Sequence, residues 1–405
     1  MSGIWQAVRS GDWVTLARIR AYSAIMLVLG LAMLGWLIAT GEGLIDYQGR
    51  PLGTDFSNVY AAGKWVLDGR PEAAFDPALQ HEMEKRIFGA ETPFYGWHYP
   101  PVFLGVAALL ALMPYLFALF VWQAVTLALY LAAMRAILPR PELWLPALAF
   151  PAVLINLSHG HNGFLSAALL GGGLVLIDRR PQIAGLLFGL LCYKPQLGVM
   201  IPVALAGGRR WRVFLFAALT VGAICLLSWL AFGAGVWIAF GDSLEFTRHV
   251  VLEQGGTGFH KIQSPFAAFR MWGAPIEVAY AVQAAAICTV AVLLFILWRS
   301  EIAFALKAAA LLAGALIATP YVLDYDLMIM APAIAFIAAH GLKHGFHEYE
   351  KSALAFCWAA PLFSRMLAEY IFLPVGLIAV LVLFGLVLRR AAVERAALPP
   401  SLSRD

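Results

Sequence analysis

Long apolar segments separated by short polar ones make up most of this chain. An α-helix rises about 1.5 Å per residue, so about 20 apolar residues cross the hydrocarbon core of a bilayer. Prolines break two of the apolar segments, 99–113 and 182–206, and a proline usually ends or kinks a helix. The uninterrupted segments predict membrane helices near 21–40, 115–136, 143–158, 162–177, 213–233, 276–298, 303–319, 327–340, 353–368 and 372–388. The pattern therefore predicts an all-α polytopic membrane protein with about 12 membrane segments.

Composition supports this fold class. Hydrophobic residues make up 62% of the 405 residues and charged residues only 13%, whereas a soluble domain is about half apolar and about a quarter charged. The net charge of +4 comes from basic residues that lie between apolar segments, so we expect no nucleic-acid partner. The segment 21–40 is too long for a signal peptide, and no small-residue cleavage site follows it. We therefore expect it to be retained as the first helix.

The basic residues between the segments predict an orientation, because Lys and Arg accumulate on the cytoplasmic side of membrane proteins. We expect one domain, 1–405, in the inner (plasma) membrane, with periplasmic loops at 41–98 and 234–275 and a solvated cytoplasmic tail at 391–405. An alternative, in which both broken segments cross completely, puts "DRRP" (178–181) outside. The basic residues are Arg18, Arg20, Arg135, Arg140, Arg179, Arg180, Arg209, Arg210, Arg212, Lys343, Lys351, Arg389 and Arg390.

The segment 41–98 is unusually polar for this chain. It holds nine of the 24 acidic residues but only five Lys and Arg residues. Within it, Leu79, Met83 and Ile87 recur every fourth position, which predicts an amphipathic helix over 76–88. Such a helix is expected to lie along the membrane surface.

Asp55 stands between the first apolar segment and a helix-forming stretch that contains Asn58, Tyr60 and Lys64. A carboxylate at the membrane boundary is partly desolvated, which raises its basicity and suits it to take a proton from a hydroxyl group. Alternatively, Asp55 caps the helix that follows it. The local sequence leaves both interpretations open.

Lys194 interrupts an apolar segment at "CYKPQ". A lysine there costs several kcal/mol in lipid unless it faces a cavity, a counter-ion or the interface. An anionic lipid head group is then a natural partner. The alternative is that the side chain snorkels to the membrane surface.

Two histidine-containing motifs precede membrane helices. In "GWHYPP" (96–101), His98 and Tyr99 stand where a helix enters the membrane, and an interfacial aromatic belt also accounts for Tyr99. In "SHGHN" (158–162), His159 and His161 are two positions apart and point to different sides of a helix, so we expect no metal pair. A polar turn is the simpler interpretation of His159.

Two later motifs carry charge. In "LDYDL" (323–327), Asp324 and Asp326 have the Asp-x-Asp spacing that holds a divalent ion in nucleotide-sugar enzymes. We favour instead a helix cap or a partner for a cation such as Lys194, Lys261 or Arg270. In "GTGFHKIQSPFAAFR" (256–270), glycines allow a mobile loop, and the positive charge comes from His260, Lys261 and Arg270. A solvated loop is the alternative there.

Taken together, these motifs resemble glycosyltransferase family 87. The likeness covers roughly 20–340 and consists of "TDFSNVYAAGKWVLDG", "WHYPPVFLGVAALLALMP", "GHN", "KPQ", "QS" with a following Arg, and "TPYVLDYDL". Members of that family have the GT-C membrane fold and are α-mannosyltransferases that use polyprenyl-phosphate-mannose. This chain departs from the family pattern at "GHN", at "IQS" and at "LDYD", where some members carry histidine.

The resemblance implies a set of roles. Asp55 would be the catalytic base, and the donor phosphate would be bound by Lys194, Arg270 and His260. The donor would be a polyprenyl-phosphate-linked sugar and the acceptor a glycolipid or glycan at the periplasmic face. We expect no cofactor and no obligatory metal, since no nucleotide diphosphate leaves. Substrate binding would fall to Asn58, Tyr60, His98, Tyr99, His161, Asn162, Gln196, Asp324 and Asp326.

Two other classes of function fit the apolar chain. A secondary transporter or flippase usually places ionisable residues near the bilayer midplane and shows paired repeats, and the sequence shows no repeat. A non-enzymatic membrane scaffold would tolerate any substitution in the periplasmic loops.

Overall fold

The computed structural model describes residues 2–397, and these residues are helical without any named β-strand. The α-helices, in chain order, are α1 Ser2–Ser10, α2 Leu16–Ala39, α3 Phe56–Leu67, α4 Pro77–Phe88, α5 Leu104–Ala111, α6 Tyr115–Ile137, α7 Trp144–Leu148, α8 Pro151–His159, α9 Gly163–Leu176, α10 Pro181–Leu190, α11 Pro195–Gly198, α12 Met200–Gly207, α13 Trp211–Phe232, α14 Ala234–Phe246, α15 Pro265–Met271, α16 Ile276–Arg299, α17 Phe304–Ile317, α18 Met330–His344, α19 Glu350–Ile371 and α20 Val375–Ala397.

Tighter and wider helical turns connect or extend these helices. One π-helix, Thr247–Glu253, continues α14. The 3₁₀ turns are Pro71–Phe75, Pro101–Phe103, Pro141–Leu143, Leu191–Tyr193, Phe259–Lys261 and Asp324–Ile329. Three of these six turns begin at a proline, as expected for a residue that presets φ but lacks an N–H donor.

In the described residues, six helices are long and apolar enough to cross a membrane. A seventh is formed if the bent pair Pro141–Leu148 and Pro151–His159, which meet at 52°, is one span. Five shorter apolar helices lie among them: Pro101–Ala111, Gly163–Leu176, Pro181–Tyr193, Pro195–Gly207 and Phe304–Ile317. The all-α multi-pass interpretation is confirmed. The exact number of crossings stays a prediction.

One end of the helix bundle, here called the Asp55 end, collects the polar segment after α2. The turn before α9 packs against it, because a Cβ on Gly160 would lie 3.2 Å from the carbonyl oxygen of Gly53. The connection after α17 joins the same end through an isolated bridge between Ile262 and Leu323. The loop between α19 and α20 also belongs to it, since Phe372 accepts a hydrogen bond from Trp272.

The opposite end, here called the arginine-rich end, is held by contacts among the other connections. Arg210 pairs with Asp178 at 2.5 Å between the turns before α10 and α13. The backbone N–H of Tyr349 donates to Arg9 at 2.7 Å, which joins the start of α19 to α1. Arg390 pairs with Glu350, and both side chains are buried. The basic connections are thus separated from Asp55 by the length of the bundle.

The position of α3 depends on a close contact with α5. A Cβ on Gly63 would lie 2.1 Å from the carbonyl oxygen of Ala107, so only glycine lets the two helices approach this closely. Tyr60 donates to the carbonyl of Met113 at 2.8 Å, and Lys64 donates to that of Ala111 at 2.9 Å. These bonds anchor the helix that begins directly after Asp55.

The predicted helix over 76–88 is present as α4, and Asp76 caps it by accepting from the backbone N–H of Ala78 and Leu79. Its buried side consists of Gln80, Met83, Glu84 and Phe88, and Leu79 and Ile87 of the apolar stripe pack against the same core. Its position along the membrane surface stays a prediction. Gln80 donates to the carbonyl of Asn58, and Glu84 accepts from the backbone N–H of Tyr95. The helix therefore packs on α3.

The prediction of a solvated tail over 391–405 was wrong for the first residues of that range. Helix α20 continues through residue 391 to Ala397, and Ala391 is buried against the bundle. The rest of that prediction, 398–405, lies outside the described residues.

Candidate active site

Asp55 is the last residue before α3, yet its side chain makes no capping hydrogen bond. Its own backbone is already helical, with φ −74° and ψ −15°, whereas an N-cap residue normally has extended geometry that lets its oxygen reach back to the N–H groups. The capping interpretation is therefore wrong. The carboxylate is half-buried and retains accessible surface.

The surroundings make this carboxylate more basic than usual. Burial raises the pKa of Asp55 most, since it disfavours the charged form, and the nearby Asp324 raises it further. The positive charges of a protonated His159, of Arg365 and of Lys261 act in the opposite direction, but the pKa of Asp55 remains raised. A half-buried carboxylate with raised basicity and cations around it is equipped to receive a proton.

The turn that carries His159 is fitted closely against Asp55. Gly160 has φ +63°, in the left-handed region, and a Cβ there would lie 2.5 Å from the Cβ of Phe56. The indole N–H of Trp122 donates to the carbonyl of Gly160 at 3.2 Å and fixes the turn from α6. From the sequence, His159 was interpreted only as part of a polar turn. The segment 53–56 that packs against it is about 100 residues away in the chain, so no local pattern links the two.

Lys261 supplies a cation without a bound counter-ion. It ends the 3₁₀ turn Phe259–Lys261, which the bridge between Ile262 and Leu323 places beside Asp324. Its half-buried ammonium forms no hydrogen bond or ion pair with any residue from 2 to 397. Burial lowers the pKa of Lys261, and the neighbouring Arg365 lowers it further, while Asp324 and Asp55 raise it. An anion bound here would relieve that unfavourable environment.

Arg365, on α19, is a functional candidate that sequence reasoning missed. Its Nε donates to Oδ2 of Asp324 at 2.8 Å, and its Nη2 lies 2.6 Å from the same oxygen. Asp324 is buried, whereas the Arg365 side chain keeps 35% of its surface exposed. The signal was present in the sequence, since an arginine inside the apolar segment 353–368 meets the criterion that drew attention to Lys194.

Lys194 is buried and paired. Its Nζ donates to Oδ1 of Asp326 at 2.6 Å, and the other carboxylate oxygen accepts from the backbone N–H of Leu323 at 3.2 Å. The snorkelling alternative is wrong, because only 5% of Lys194 is exposed. The expectation that Asp326 pairs with a cation is confirmed. Donor-phosphate binding by Lys194 stays a prediction that this geometry does not favour.

A network of hydrogen bonds joins three of the predicted substrate-binding residues, Tyr99, His161 and Asn162, in the interior of the bundle. The Tyr99 hydroxyl accepts from Asn162 Nδ2 at 2.8 Å and shares a hydrogen bond of 3.2 Å with His161 Nε2. The His161 ring stacks on Tyr325, and Asn156 donates to the Tyr325 carbonyl at 3.0 Å. All of these side chains are buried. The network thus supports the turn 160–162 against the Asp324–Asp326 segment.

The other two predicted phosphate ligands differ in availability. His260 is half-buried beside Lys261, and burial lowers its pKa, so the neutral ring is favoured. Arg270 donates to the carbonyls of Ala274 at 2.8 Å and Glu253 at 3.3 Å, and it lies over the Phe259 ring. Its guanidinium is committed to backbone carbonyls, which makes it a structural clamp for this loop.

The remaining predicted substrate ligands are spread more widely. Asn58 is buried under α4, and Tyr60 is bonded to Met113, so both face the packed side of α3. His98 shares a hydrogen bond of 2.9 Å with Thr247 in the π-helix, and burial lowers its pKa to about 4. Gln196 is half-buried and forms no side-chain hydrogen bond within the described residues.

A comparison with protein families decides the identity of the chain. The model of glycosyltransferase family 87 matches residues 97–320, which is more than half of the 405 residues. The chain belongs to glycosyltransferase family 87. No curated protein and no solved structure matches it.

Family 87 membership makes the protein a membrane glycosyltransferase, so the transporter and scaffold alternatives are set aside. The matched range contains Tyr99, His161, Lys194 and His260 but leaves out Asp55. Asp55 enters the site through geometry, by the contact between Gly53 and Gly160 that joins it to the matched range.

An open groove of about 460 Å³ lies elsewhere in this family 87 enzyme, between α2 and the start of α7. Arg20 and Glu142 line it, together with apolar residues, and none of the candidate site residues reaches it. It belongs to the arginine-rich end and not to the site around Asp55.

Proposed function

We propose that this glycosyltransferase moves a hexose, with mannose as the first choice, from a polyprenyl-phosphate donor to a lipid or glycan acceptor. Asp55 acts as the base in a direct inverting displacement within a GT-C arrangement. The arginine-rich end is cytoplasmic by the positive-inside rule, so the Asp55 end faces the periplasm. The apolar helices around it provide the bilayer setting that a polyprenyl tail requires.

The observation that carries this proposal is the free, half-buried carboxylate of Asp55. It neither caps α3 nor forms an ion pair in the described chain, and its pKa is raised chiefly by burial. Structural carboxylates of this protein, such as Asp324 and Asp326, are instead bonded to cations. A carboxylate kept unpaired beside Lys261 is a costly arrangement that a proton-accepting role explains.

The chemistry requires only one carboxylate. An acceptor hydroxyl attacks the anomeric carbon, its proton passes to a carboxylate oxygen of Asp55, and the bond from that carbon to the phosphate oxygen breaks. The lipid phosphate leaves with the electron pair, and because it is already anionic it needs no acid to protonate it. In this respect the reaction differs from an inverting glycosidase, which uses two carboxyl groups.

Fixed cations favour the departing phosphate. We assign this role to Lys261 and Arg365, with His260 beside them, in place of the buried Lys194 and the committed Arg270. Lys261 has no competing partner in the described residues, and Arg365 is held in place by Asp324 while part of its guanidinium stays accessible. Negative charge that develops at this point meets two preorganised positive groups.

The decisive experiment incubates the purified protein with a panel of polyprenyl-phosphate sugars and measures which donor is consumed. Asp55→Asn should abolish transfer with the accepted donor, since it removes the base without changing side-chain size. Asp68→Asn, at the exposed other end of α3, serves as the matched control and should retain wild-type transfer. Wild-type turnover in the Asp55→Asn variant would refute the assignment.

A further inference from the structure

The imidazole of His159 has a defined tautomer. Its Nδ1 lies 2.9 Å from the carbonyl oxygen of Ile155, one turn earlier in α8, and 3.0 Å from the hydroxyl of Ser158. A backbone carbonyl can only accept a hydrogen bond, so Nδ1 carries the hydrogen. When the ring is neutral, the other ring nitrogen, Nε2, is consequently the one with a free lone pair.

That lone pair is not occupied by the protein. His159 Nε2 has no hydrogen-bond partner among the described residues. It is also not among their completely buried polar atoms that lack a partner, so it keeps some accessible surface. The residue is half-buried. In its neutral form the imidazole therefore presents an open proton acceptor at Nε2.

The fold brings this acceptor close to Asp55. Gly160 packs on Phe56 and on the Gly53 carbonyl, so its neighbour His159 lies near Asp55, which directly precedes Phe56. When His159 is protonated, its charge lowers the pKa of Asp55 more than the charge of any other neighbour does. The two side chains come from segments joined only by tertiary structure.

We propose that Nε2 of His159 receives the proton that Asp55 takes from the acceptor hydroxyl, and so returns the base to its ionised form. This inference rests on the proposed function. Because the two groups are not hydrogen-bonded to each other, the proton passes through one solvent molecule between them. The Oδ–H bond of Asp55 breaks and an Nε2–H bond forms, which leaves a carboxylate and an imidazolium. The imidazolium then gives the proton to solvent at the accessible edge of the site, so no other reactant is needed.

Other groups around Asp55 are less suited to this transfer. Lys261 and Arg365 already carry protons as cations. Asp324 is bonded to Arg365, and Nε2 of His161 is bonded to Tyr99. His159 ends α8, where the helix dipole stabilises a positive charge. A positive charge on His159 interacts favourably with the Asp55 carboxylate and unfavourably with a charge on His161.

One test does not depend on catalysis. Diethyl pyrocarbonate modifies accessible, unprotonated imidazole, and mass spectrometry locates the modified residues. At neutral pH we expect modification of His159 and of the exposed His249, but not of the buried His161. An unmodified His159 beside a modified His249 would show that Nε2 is closed, which overturns the proposal.

The second test uses chemical rescue of sugar transfer. His159→Ala should lower the rate about 100-fold, the lower edge of general acid–base effects, and added imidazole should restore much of it. His159→Gln keeps a donor for Ile155 and should be equally slow, which separates proton transfer from support of the fold. His249→Gln is the control and should transfer at the wild-type rate.

The outcomes separate the two proposals. Wild-type rates in His159→Gln, or a loss in His159→Ala that imidazole does not restore, contradict the proton relay while Asp55 remains the base. A wild-type protein that transfers no sugar contradicts the proposed function, and the relay with it. Rescue of His159→Ala but not of Asp55→Asn supports both.

Discussion

The ammonium of Lys194 lies 2.6 Å from the carboxylate of Asp326, although 132 positions separate the two residues in the chain. Both side chains are almost completely buried. This ion pair ties the proline-broken segment before α11 to the turn that also carries Asp324, the partner of Arg365. The charged side of the site therefore depends on a buried pair beneath it.

Breaking this pair should destabilise the protein strongly. Lys194→Met leaves Asp326 as a buried, unpaired charge, and such losses cost about 3–5 kcal/mol. We expect a clear fall in the thermal unfolding midpoint in detergent micelles, which the double variant Lys194→Met with Asp326→Asn partly reverses. The exposed pair of Arg86 and Glu82 is the matched control, because surface pairs contribute about 0–1 kcal/mol. An equally stable Lys194→Met protein would contradict this account.

Replacement of Arg365 should weaken binding of the donor. Arg365→Gln removes a charge-assisted contact of the kind that contributes about 1.5–3 kcal/mol, so we expect the KM for the polyprenyl-phosphate donor to rise about 10- to 100-fold. Arg365→Lys should recover part of this, since it restores charge without the planar guanidinium. The measurement is initial rate against donor concentration. An unchanged KM, equal to that of the control Arg86→Gln, would remove Arg365 from the site.

Gly160→Ala should disturb the site around Asp55 directly. The left-handed backbone costs a non-glycine residue about 1–2 kcal/mol, and the new methyl would lie 2.5 Å from the Cβ of Phe56. We expect lower thermal stability and a lower kcat. Gly222→Ala is the control, because a Cβ there meets nothing within 4 Å. Equal behaviour of the two variants would show that the turn can move away from Asp55 freely.

Glu84 should make stability depend on pH. Burial raises its pKa from the ordinary value of 4.5 to about 8, so the folded protein holds this proton over a range where the unfolded chain has lost it. The folded state therefore binds more protons than the unfolded state, and stability falls as pH rises from about 4.5 to about 8. Above that range the whole contribution of the Glu84 proton to stability is lost.

Unfolding midpoints at pH 5 and pH 9 test this prediction for Glu84. Glu84→Gln keeps an oxygen for the backbone N–H of Tyr95 but cannot ionise, so its midpoint should fall less between the two pH values than that of the wild type. Glu82→Gln, two positions away and exposed, should behave like the wild type. If Glu84→Gln showed the full wild-type fall, the dependence would have to come from other groups.

Much of the architecture was predictable from apolar runs alone. A transmembrane segment satisfies its backbone hydrogen bonds internally, so local composition decides that α2, α6, α13 and α16 are membrane helices. Proline likewise marks local breaks, as at Pro195, where α11 begins. Arg365 could have been found by the same local rule that singled out Lys194, since a cation in an apolar segment needs a partner.

The sequence by itself thus determined an all-α membrane protein, the position of its breaks and the presence of costly charges that had to be paired. Only the tertiary structure decided the pairing, because a charge in an apolar segment demands some partner without specifying which one. It joined Lys194 to Asp326 and Asp324 to Arg365, and it set His159 against Asp55 through the glycine contact at Gly160. Those choices depend on how distant helices pack, a property that no local pattern of residues contains.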